Sequence, residues 1–196
     1  MVHPFPLKKG TTLFRQGDRQ NQIYQVISGW MKLSRVSLKG QDLIVELLFA
    51  GDYFDLHRLL DGGPTSFTAA SLSAHPADLT CLREGYQSNP GLLRILHQQL
   101  AQQMRRQHDM MAALAGESVE QRVLLVLELL ARRAGRREGS SVVLPMPLSR
   151  KELAELTGSC AESSIRTLTD LQRRGLIRWN GRDLCCSQDL LASAKC

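Results

Sequence analysis

The sequence predicts an α+β fold with three parts: a β-roll, a long helix and a winged helix–turn–helix. Short apolar runs separated by turn residues fill about the first 85 positions, and a heptad-like apolar pattern follows them. Near the C-terminus, two helix-start signals flank a glycine. We place the three parts at residues 1–88, 89–115 and 118–196, with the helix–turn–helix at about 149–171.

Composition indicates a folded, basic protein. The chain has 196 residues, 43% of them hydrophobic, and a net charge of +6. The first residues, M-V-H-P-F-P-L-K-K, lack the apolar run of a signal peptide, and no apolar run reaches about 18 residues, so we expect a cytoplasmic protein without a membrane segment. Residues 118–196 contain 13 Lys and Arg against 9 Asp and Glu, a net of +4. This excess favours a polyanionic partner for the C-terminal part.

Motifs for metal binding or catalysis are missing from the sequence. The five cysteines form no C-x-x-C pair and no zinc-type spacing, and their odd number argues against a disulfide framework. Neither a nucleophile–base pair, nor paired catalytic carboxylates, nor a phosphate-binding glycine loop is found. We therefore expect reduced thiols, no resident metal or cofactor, and no enzymatic activity.

The N-terminal part reads as short antiparallel strands. The runs I-Y-Q-V-I, W-M-K-L-S-R-V and L-I-V-E-L-L-F are separated by turn residues. Glycines recur at intervals of about eleven residues, as in the turns of a β-meander. The pattern predicts a small β-roll or barrel.

After Asn89-Pro90 the apolar spacing becomes helical, with a 3-4-3-4 repeat. The repeat consists of Leu93, Leu96, Leu100, Gln103, Gln107, Met110 and Leu114. Such a seam either packs against the β-domain of the same chain or pairs with a second copy at a dimer two-fold axis. We favour the dimer, because glutamines in a seam can hydrogen-bond across the axis and set the register.

Gly116 interrupts this helix, and a second helix follows. Ser118-Val-Glu-Gln121 has the form of a capping box, and Gly135 ends the segment. The polar loop R-R-E-G-S-S then leads to V-V-L-P-M-P-L.

The segment from Ser149 predicts helix, tight turn, helix. Ser149 and Glu152 form a capping box, Leu153 and Leu156 line the inner face, and Gly158 makes the turn. We expect Ser159 and Glu162 to cap the second helix, whose predicted buried stripe is Ile165, Leu168 and Leu171.

A hairpin signal follows the second helix. In L-I-R-W-N-G-R-D-L-C-C-S, apolar and polar residues alternate around Asn180-Gly181, which predicts a type I′ turn. A winged helix–turn–helix places its second helix in the major groove of DNA.

These features together resemble the CRP/FNR family of bacterial transcription regulators. The matching words are L-F-R-Q-G-D, Y-Q-V-I-S-G-W-M-K-L-S-R-V, G-D-Y-F, and the run L-S-R-K-E-L-A-E-L-T-G-S-C-A-E-S-S-I-R-T-L-T-D-L-Q-R-R-G-L-I. The resemblance covers nearly the whole chain. It implies a cyclic-nucleotide-binding-type β-roll, a dimerisation helix and a homodimer that binds palindromic double-stranded DNA and contacts RNA polymerase.

In that family the recognition helix offers a Glu and, four residues later, an Arg, which correspond here to Glu162 and Arg166. An arginine can bond guanine O6 and N7, and a carboxylate can accept from the cytosine amino group. Ala161 stands where the catabolite-activator subgroup has a base-reading Arg, and Ile165 stands where the fumarate-nitrate subgroup has Ser. The DNA half-site sequence of neither subgroup can therefore be transferred to this protein. The residues expected at the DNA are Arg150, Lys151, Ser159, Cys160, Ala161, Glu162, Ser163, Arg166 and Asn180.

The pocket that holds cyclic nucleotides in the family departs from its pattern here. Its counterparts are Phe54, Asp55, Leu56, His57, Ser66 and Phe67. Asp55 and Leu56 replace a Gly-Glu pair, and Ser66 and Phe67 replace an Arg-Ser pair. Without the guanidinium an anionic phosphate has no charged partner, so we expect no tight cAMP binding.

The sequence contains no clear binding site for the other effectors known in the family. No cysteine precedes Cys81 to hold an iron–sulfur cluster, and the arginine of 2-oxoglutarate sensors has no counterpart. A haem ligand would have to come from His3, His57, His75, His97 or His108, with His57 nearest the pocket. Cys160 is a candidate redox switch. We interpret the pocket as degenerate, with an unknown effector or none; a regulator that acts through protein contacts alone is the remaining alternative.

Overall fold

Antiparallel strands build the N-terminal part of the chain in a computed structural model. The structure describes residues 4–19, 22–38, 40–56, 62–72, 77–82, 89–146, 148–187 and 190. The strands are β1 (Phe5–Leu7), β2 (Thr12–Phe14), β3 (Ile23–Ser28), β4 (Met31–Val36), β5 (Asp42–Leu48), β6 (Tyr53–Phe54), β7 (Thr68–Ser71) and β8 (Ala77–Leu82). Within these ranges they form two sheets, in the orders β1-β8-β3-β6 and β2-β7-β4-β5. The predicted β-roll is confirmed.

The strand order is not that of a meander, although glycines do make the sharp turns. Gly17 and Gly51 both have φ of 92°, which residues with a Cβ rarely adopt. Among the strands of the roll that the structure describes, only β4 and β5 are neighbours in both sequence and sheet; β3 pairs with β8, and β2 with β7. The expectation of meander turns was therefore wrong. Turn residues determine where a strand ends, but they do not determine which strand it pairs with in the sheet.

Residues from both sheets form one core. Tyr24 stacks on Phe54 with ring centroids 5.5 Å apart, and Phe14 lies 6.1 Å from Phe54. The aliphatic residues around these rings include Val26, Met31, Leu33, Leu48 and Leu79. Burial of this surface is the main source of stability of the roll.

The helix α1 (Pro90–Gly116) follows the roll and begins where Asn89 Oδ1 accepts from the backbone N–H of Leu92 at 3.0 Å. The seven residues of its predicted seam do not all lie on a solvent-accessible face, because some of them contact the roll. Leu96 is buried with Ile23 and Leu56 of the roll, and Gln103 Nε2 donates to the carbonyl oxygen of Tyr53 at 3.0 Å. Leu96 and Gln103 are therefore removed from the predicted dimer seam, because contacts within the chain already use both side chains.

The other seam residues differ in exposure. Leu100 packs at the edge of the cluster formed by Leu96, Ile23 and Leu56. Leu93, Gln107 and Met110 are half-buried, and Leu114 is exposed. Their place in a dimer stays a prediction.

The C-terminal elements are α2 (Val119–Ala134), β9 (Arg136–Glu138), β10 (Ser141–Pro145), α3 (Arg150–Thr157), α4 (Ala161–Arg173), β11 (Ile177–Asn180) and β12 (Asp183–Ser187). The strands form a sheet in the order β11-β12-β10-β9. The capping box of Ser118 and Gln121 at the start of α2 is confirmed.

By its contacts the chain divides into units 1–108 and 109–196, a division that falls within α1. In the described ranges, no helix combines the length and apolar character needed to cross a membrane.

Replacing Gly135 with Ala should destabilise the C-terminal unit. Gly135 has an ordinary φ of −72°, but an added Cβ would lie 2.5 Å from the carbonyl oxygen of Ala131 and 2.6 Å from Cγ1 of Val142. We expect a loss of ~1–3 kcal/mol in the free energy of unfolding, measured by urea denaturation. Gly116→Ala is the control, because an added Cβ there meets open space. Equal effects of the two substitutions would contradict the packing argument.

Candidate nucleic-acid interface

The first helix of the predicted helix–turn–helix is α3, and it begins as expected. The Ser149 hydroxyl accepts from the backbone N–H of Glu152 at 3.2 Å, and the Glu152 carboxylate accepts from the backbone N–H of Ser149 at 2.9 Å. This capping box satisfies amides that have no partner within the helix. Leu153 and Leu156 are buried, so the predicted inner face is confirmed.

Gly158 ends α3 and makes the turn. Its φ of 57° and ψ of 37° are left-handed, a conformation that is costly for a residue with a Cβ. A Cβ at this position would also lie 2.7 Å from Cδ2 of Leu114. The turn therefore requires glycine for reasons of both backbone and packing.

The second helix, α4, begins one residue later than the sequence predicts. Its N-cap residue is Cys160, whose side chain makes no capping hydrogen bond to the backbone. Glu162 is thus the second helical residue and cannot close a capping box with Ser159. That predicted box was wrong, because the Ser159 hydroxyl has other partners.

The Ser159 hydroxyl belongs to a chain of hydrogen bonds inside the turn. Thr157 Oγ1 donates its single proton to the carbonyl oxygen of Leu153 at 2.8 Å. Ser159 Oγ lies 3.0 Å from Thr157 Oγ1 and can donate to it; its other acceptor, the carbonyl oxygen of Cys160, is more distant at 3.4 Å. Ser164 Oγ, 2.8 Å from Ser159 Oγ, then donates to Ser159. Since its proton points into the protein, Ser159 positions the turn rather than donating to a phosphate.

A buried stripe fixes the orientation of α4. Ser164, Leu168 and Leu171 have exposed fractions of 0%, 6% and 0%. Their spacing of four and three residues places them on one helical face. Ile165 is only half-buried, so its inclusion in the stripe was wrong; the small Ser164 lies at the buried position instead.

The opposite face of α4 carries the predicted base-reading residues. Ala161, Glu162 and Arg166 are exposed, and Ser163 is half-buried. Glu162 and Arg166 are one helical turn apart, but in the part of the chain that the structure describes no ion pair joins them. Both charged groups are thus available to an external partner.

Two basic residues extend this surface at the start of α3. Arg150 and Lys151 are exposed. Lys151 Nζ lies 3.5 Å from Glu155 Oε1, with the lysine side chain 77% exposed. The Glu155 side chain is 11% exposed, but the lysine side chain lies largely in solvent and the contact is long. The ammonium can therefore exchange this carboxylate for a phosphate.

The wing is the hairpin of β11 and β12, and its turn differs from the predicted one. Asn180 pairs with Asp183, so Gly181 and Arg182 form the loop. Gly181 has φ of 62°, whereas Arg182 does not have a positive φ. A type I′ turn needs positive φ at both positions, so the predicted turn type was wrong, while the hairpin is confirmed. Asn180 is exposed beside the loop.

Three further exposed residues surround the wing tip: Arg178, Trp179 and Arg182. They are not among the residues predicted from sequence to contact DNA, although the interleaving of basic and aromatic residues in R-W-N-G-R is a usable signal. Trp179 lies opposite Leu184, which is buried, and alternation alone therefore predicts burial for both. Trp179 is nevertheless 39% exposed, because β11 is the edge strand of the sheet.

Cys160 lies at the start of this surface and is exposed. Its Sγ is 3.1 Å from Oγ of Ser163. The hydrogen bond from the Ser163 hydroxyl stabilises the thiolate and lowers the pKa of Cys160 from its ordinary value. By contrast, burial raises the pKa of the Cys186 thiol to about 12.

The described residues among those predicted for an effector pocket differ in burial. Phe54 and Leu56 are buried in the packed clusters of the roll. Asp55 is 3% exposed with φ of 64°, and Ser66 and Phe67 are half-buried. His57 lies outside the described residues, as do His3 and His75.

The described histidines, His97 and His108, are exposed on α1. No group of three or more His, Cys, Asp and Glu side chains that could hold a metal ion occurs among the residues the structure describes.

Two family profiles match the chain. The profile described as "Cyclic nucleotide-binding domain" matches residues 4–81. The profile described as "Crp-like helix-turn-helix domain" matches residues 121–192 and thus includes α3, α4 and the wing. Together they account for the roll and the candidate interface.

Curated relatives and solved structures give the same result. The chain is 29% identical, over 95% of its length and 84% of the relative, to a "CRP-like cAMP-activated global transcriptional regulator" of Mycobacterium tuberculosis. It is 28% identical, over 91% of its length and 74% of the relative, to "Transcriptional activator protein FnrA" of Stutzerimonas stutzeri. The fold matches FixK2 of Bradyrhizobium japonicum with a TM-score of 0.84 at 20% identity, covering 100% of this chain and 98% of that one. The chain therefore belongs to the CRP/FNR family of bacterial transcription regulators and contains a helix–turn–helix DNA-binding domain.

Proposed function

We propose that this regulator is a homodimer that reads a palindromic DNA site through Glu162 and Arg166. The observation that carries the proposal is that both side chains are exposed on the outer face of α4 and are not paired with each other. With two recognition helices related by a two-fold axis, the half-sites would lie about 34 Å apart.

The two side chains have complementary chemistry for one or two G·C pairs. The Arg166 guanidinium can bond guanine O6 and N7, and the Glu162 carboxylate can accept from the amino group of cytosine. Ala161 offers only a methyl group and Ile165 is half-buried. Sequence discrimination in this helix therefore depends mainly on Glu162 and Arg166.

Contacts to the phosphates would position the helix without reading sequence. Arg150 and Lys151 supply positive charge, and Ser163 supplies a hydroxyl. Because the Cys160 side chain does not cap α4, the backbone amides of Ala161 and Glu162 are also open to a phosphate. Asn180 and the exposed residues of the wing would contact the flanking backbone.

The dimer would form through α1. An exposed or half-buried stripe with a 4-3-4-3 spacing runs along this helix: Leu93, His97, Leu100, Met104 and Gln107, continued by Met111 and Leu114. It shares four residues with the seam predicted from sequence. His97 and Met104 replace the buried Leu96 and Gln103, and Met111 replaces the half-buried Met110. Two such stripes could pack as a parallel coiled coil. RNA polymerase remains the second proposed partner, as for a transcription activator.

Arg166→Ala should weaken binding to a selected DNA site by ~1–3 kcal/mol and relax one G·C position, because the guanidinium reads a base. The measurement is fluorescence anisotropy on the selected site and on single-base variants. Lys151→Ala is the comparison: it should weaken binding to all sequences alike and reduce the salt dependence. Unchanged site selection with Arg166→Ala would contradict the assignment.

Met104→Glu should disrupt the dimer, because it places two like charges against each other across the two-fold axis. We expect the dissociation constant of the dimer, measured by analytical ultracentrifugation, to rise more than about tenfold. Ile95→Glu is the matched control: Ile95 is exposed to a similar degree, 47% against 50% for Met104, but it lies on the opposite side of the helix. Equal weakening by both substitutions would contradict the proposed stripe.

Thiol-based redox control is the second candidate function, and the exposed Cys160 beside Ser163 favours it. Hydrogen peroxide converts a thiolate to a sulfenic acid, which would alter the phosphate-binding end of α4. Because the Cys160 pKa is lowered, its thiolate should persist to a lower pH than that of an ordinary cysteine.

Alkylation of Cys160 by iodoacetamide should therefore reach half its maximal rate at a lower pH than alkylation of free cysteine. The measurement is peptide mass spectrometry over a pH series. Cys186, buried and with a pKa of about 12, is the internal control. Cys160→Ser should bind DNA and lose any peroxide sensitivity. Peroxide sensitivity that persists in this variant would exclude Cys160 as the switch.

A further inference from the structure

Two glutamines of α1 complete the open edge of the roll. Gln99 Oε1 accepts from the backbone N–H of Tyr53 at 2.7 Å, and Gln99 Nε2 donates to the carbonyl oxygen of Gly51 at 3.0 Å. Gln103 Nε2 donates to the carbonyl oxygen of Tyr53 at 3.0 Å. Since β6 is the edge strand of its sheet, the side-chain amides take the place of a further strand and satisfy its backbone.

An ion pair continues this contact one turn further along the helix. Arg106 Nη2 lies 2.7 Å from Oε1 of Glu46 on β5, with side-chain exposures of 27% and 6%. A partly buried, charge-assisted hydrogen bond of this kind is screened less than a surface pair. We call Gln99, Gln103, Arg106 and their partners on the roll the polar clasp.

The polar clasp fixes the rotation of α1 about its own axis. Residues 99, 103 and 106 are spaced by four and three, so they share one helical face. Leu96 lies next to this face and is buried with Ile23 and Leu56. Because amides and a guanidinium have directional partners, a rotated helix would leave buried polar groups unsatisfied. The stripe that includes Met104 consequently stays on the outside.

The buried carboxyl groups of the roll disfavour an anionic effector. Glu46, Asp52 and Asp55 are buried, with exposed fractions of 7%, 7% and 3%. Arg106, the helix cation that reaches this region, is already bound to Glu46. An anionic ligand would have to displace that carboxylate and approach others of like charge.

We propose that the polar clasp takes the place of an effector: it presets the dimerisation face of α1, so the protein dimerises and binds DNA without a small molecule. The inference rests on the proposed dimeric DNA-binding function. A ligand shifts a conformational equilibrium only through a difference in affinity between two states. If the chain's own side chains already hold one state, little remains for a ligand to shift.

The first experiment compares the ligand-free full-length protein with the same protein in saturating cAMP, in 2-oxoglutarate and in a deproteinised bacterial extract. The readouts are the dimer dissociation constant and the affinity for a DNA site selected from a random pool. We expect the values to agree within about twofold. An increase in affinity of more than about tenfold with any addition would overturn the inference and leave the proposed function intact. DNA binding that is absent under every condition would overturn both.

The second experiment tests the polar clasp with paired double variants of the same helix. Gln99→Ala with Gln103→Ala should weaken dimerisation and DNA binding about tenfold or more. Gln98→Ala with Gln102→Ala removes two exposed glutamines with the same spacing and should change neither value by more than about twofold. Both proteins are compared well below their unfolding temperatures, so a purely structural loss of stability would not change the affinities.

Arg106→Lys and Arg106→Gln provide the check on the ion pair. Lysine keeps the charge near Glu46 and should retain part of the DNA affinity, whereas glutamine should lose more. Equal affinities for these two variants, or for the two double variants, would contradict a positioning role for the polar clasp.

Discussion

The proposed DNA-reading surface depends on the left-handed turn at Gly158. The residue has φ of 57°, and Cδ2 of Leu114 occupies the space that a Cβ would need. This turn sets the direction of α4 after α3, and the stripe of Ser164, Leu168 and Leu171 then sets the rotation of α4. The exposure of Glu162 and Arg166 is a consequence of these two constraints, because burying one face of a short helix leaves the opposite face for solvent or DNA.

The polar residues in and after the turn fall into two groups: hydroxyl groups that stabilise the turn, and charged groups that are exposed on α4. Thr157, Ser159 and Ser164 direct their hydroxyl protons along one chain that ends at the carbonyl oxygen of Leu153. A hydroxyl has a single proton, so these groups stabilise the turn and have none left to donate to DNA. Glu162 and Arg166 are exposed, and within the described residues no ion pair joins them. In the proposed complex, different residues therefore position the helix and read the bases.

In the N-terminal unit, polar side chains also hold α1 in one orientation on the roll. An apolar helix could pack on a roll with a range of rotations, since dispersion contacts are weakly directional. Gln99, Gln103 and Arg106 remove that freedom, because each has a defined backbone or carboxylate partner. These groups are engaged within the chain, and Phe14, Tyr24 and Phe54 fill the interior of the roll.

The sequence by itself determined the fold class, the helix starts at Ser118 and Ser149, the turn at Gly158 and the positions of Glu162 and Arg166, because caps, turns and helical spacing act over a few residues. It did not determine the strand partners of the roll, the true cap of α4 at Cys160 or the outward face of α1. The strand partners and the outward face of α1 depend on groups distant in sequence. The cap of α4 depends on which acceptor receives the hydroxyl proton of Ser159. Gln103 shows the difference: its spacing suits a dimer seam, but the backbone of Tyr53, 50 positions away, decides its partner. Only the tertiary structure brings those two residues together.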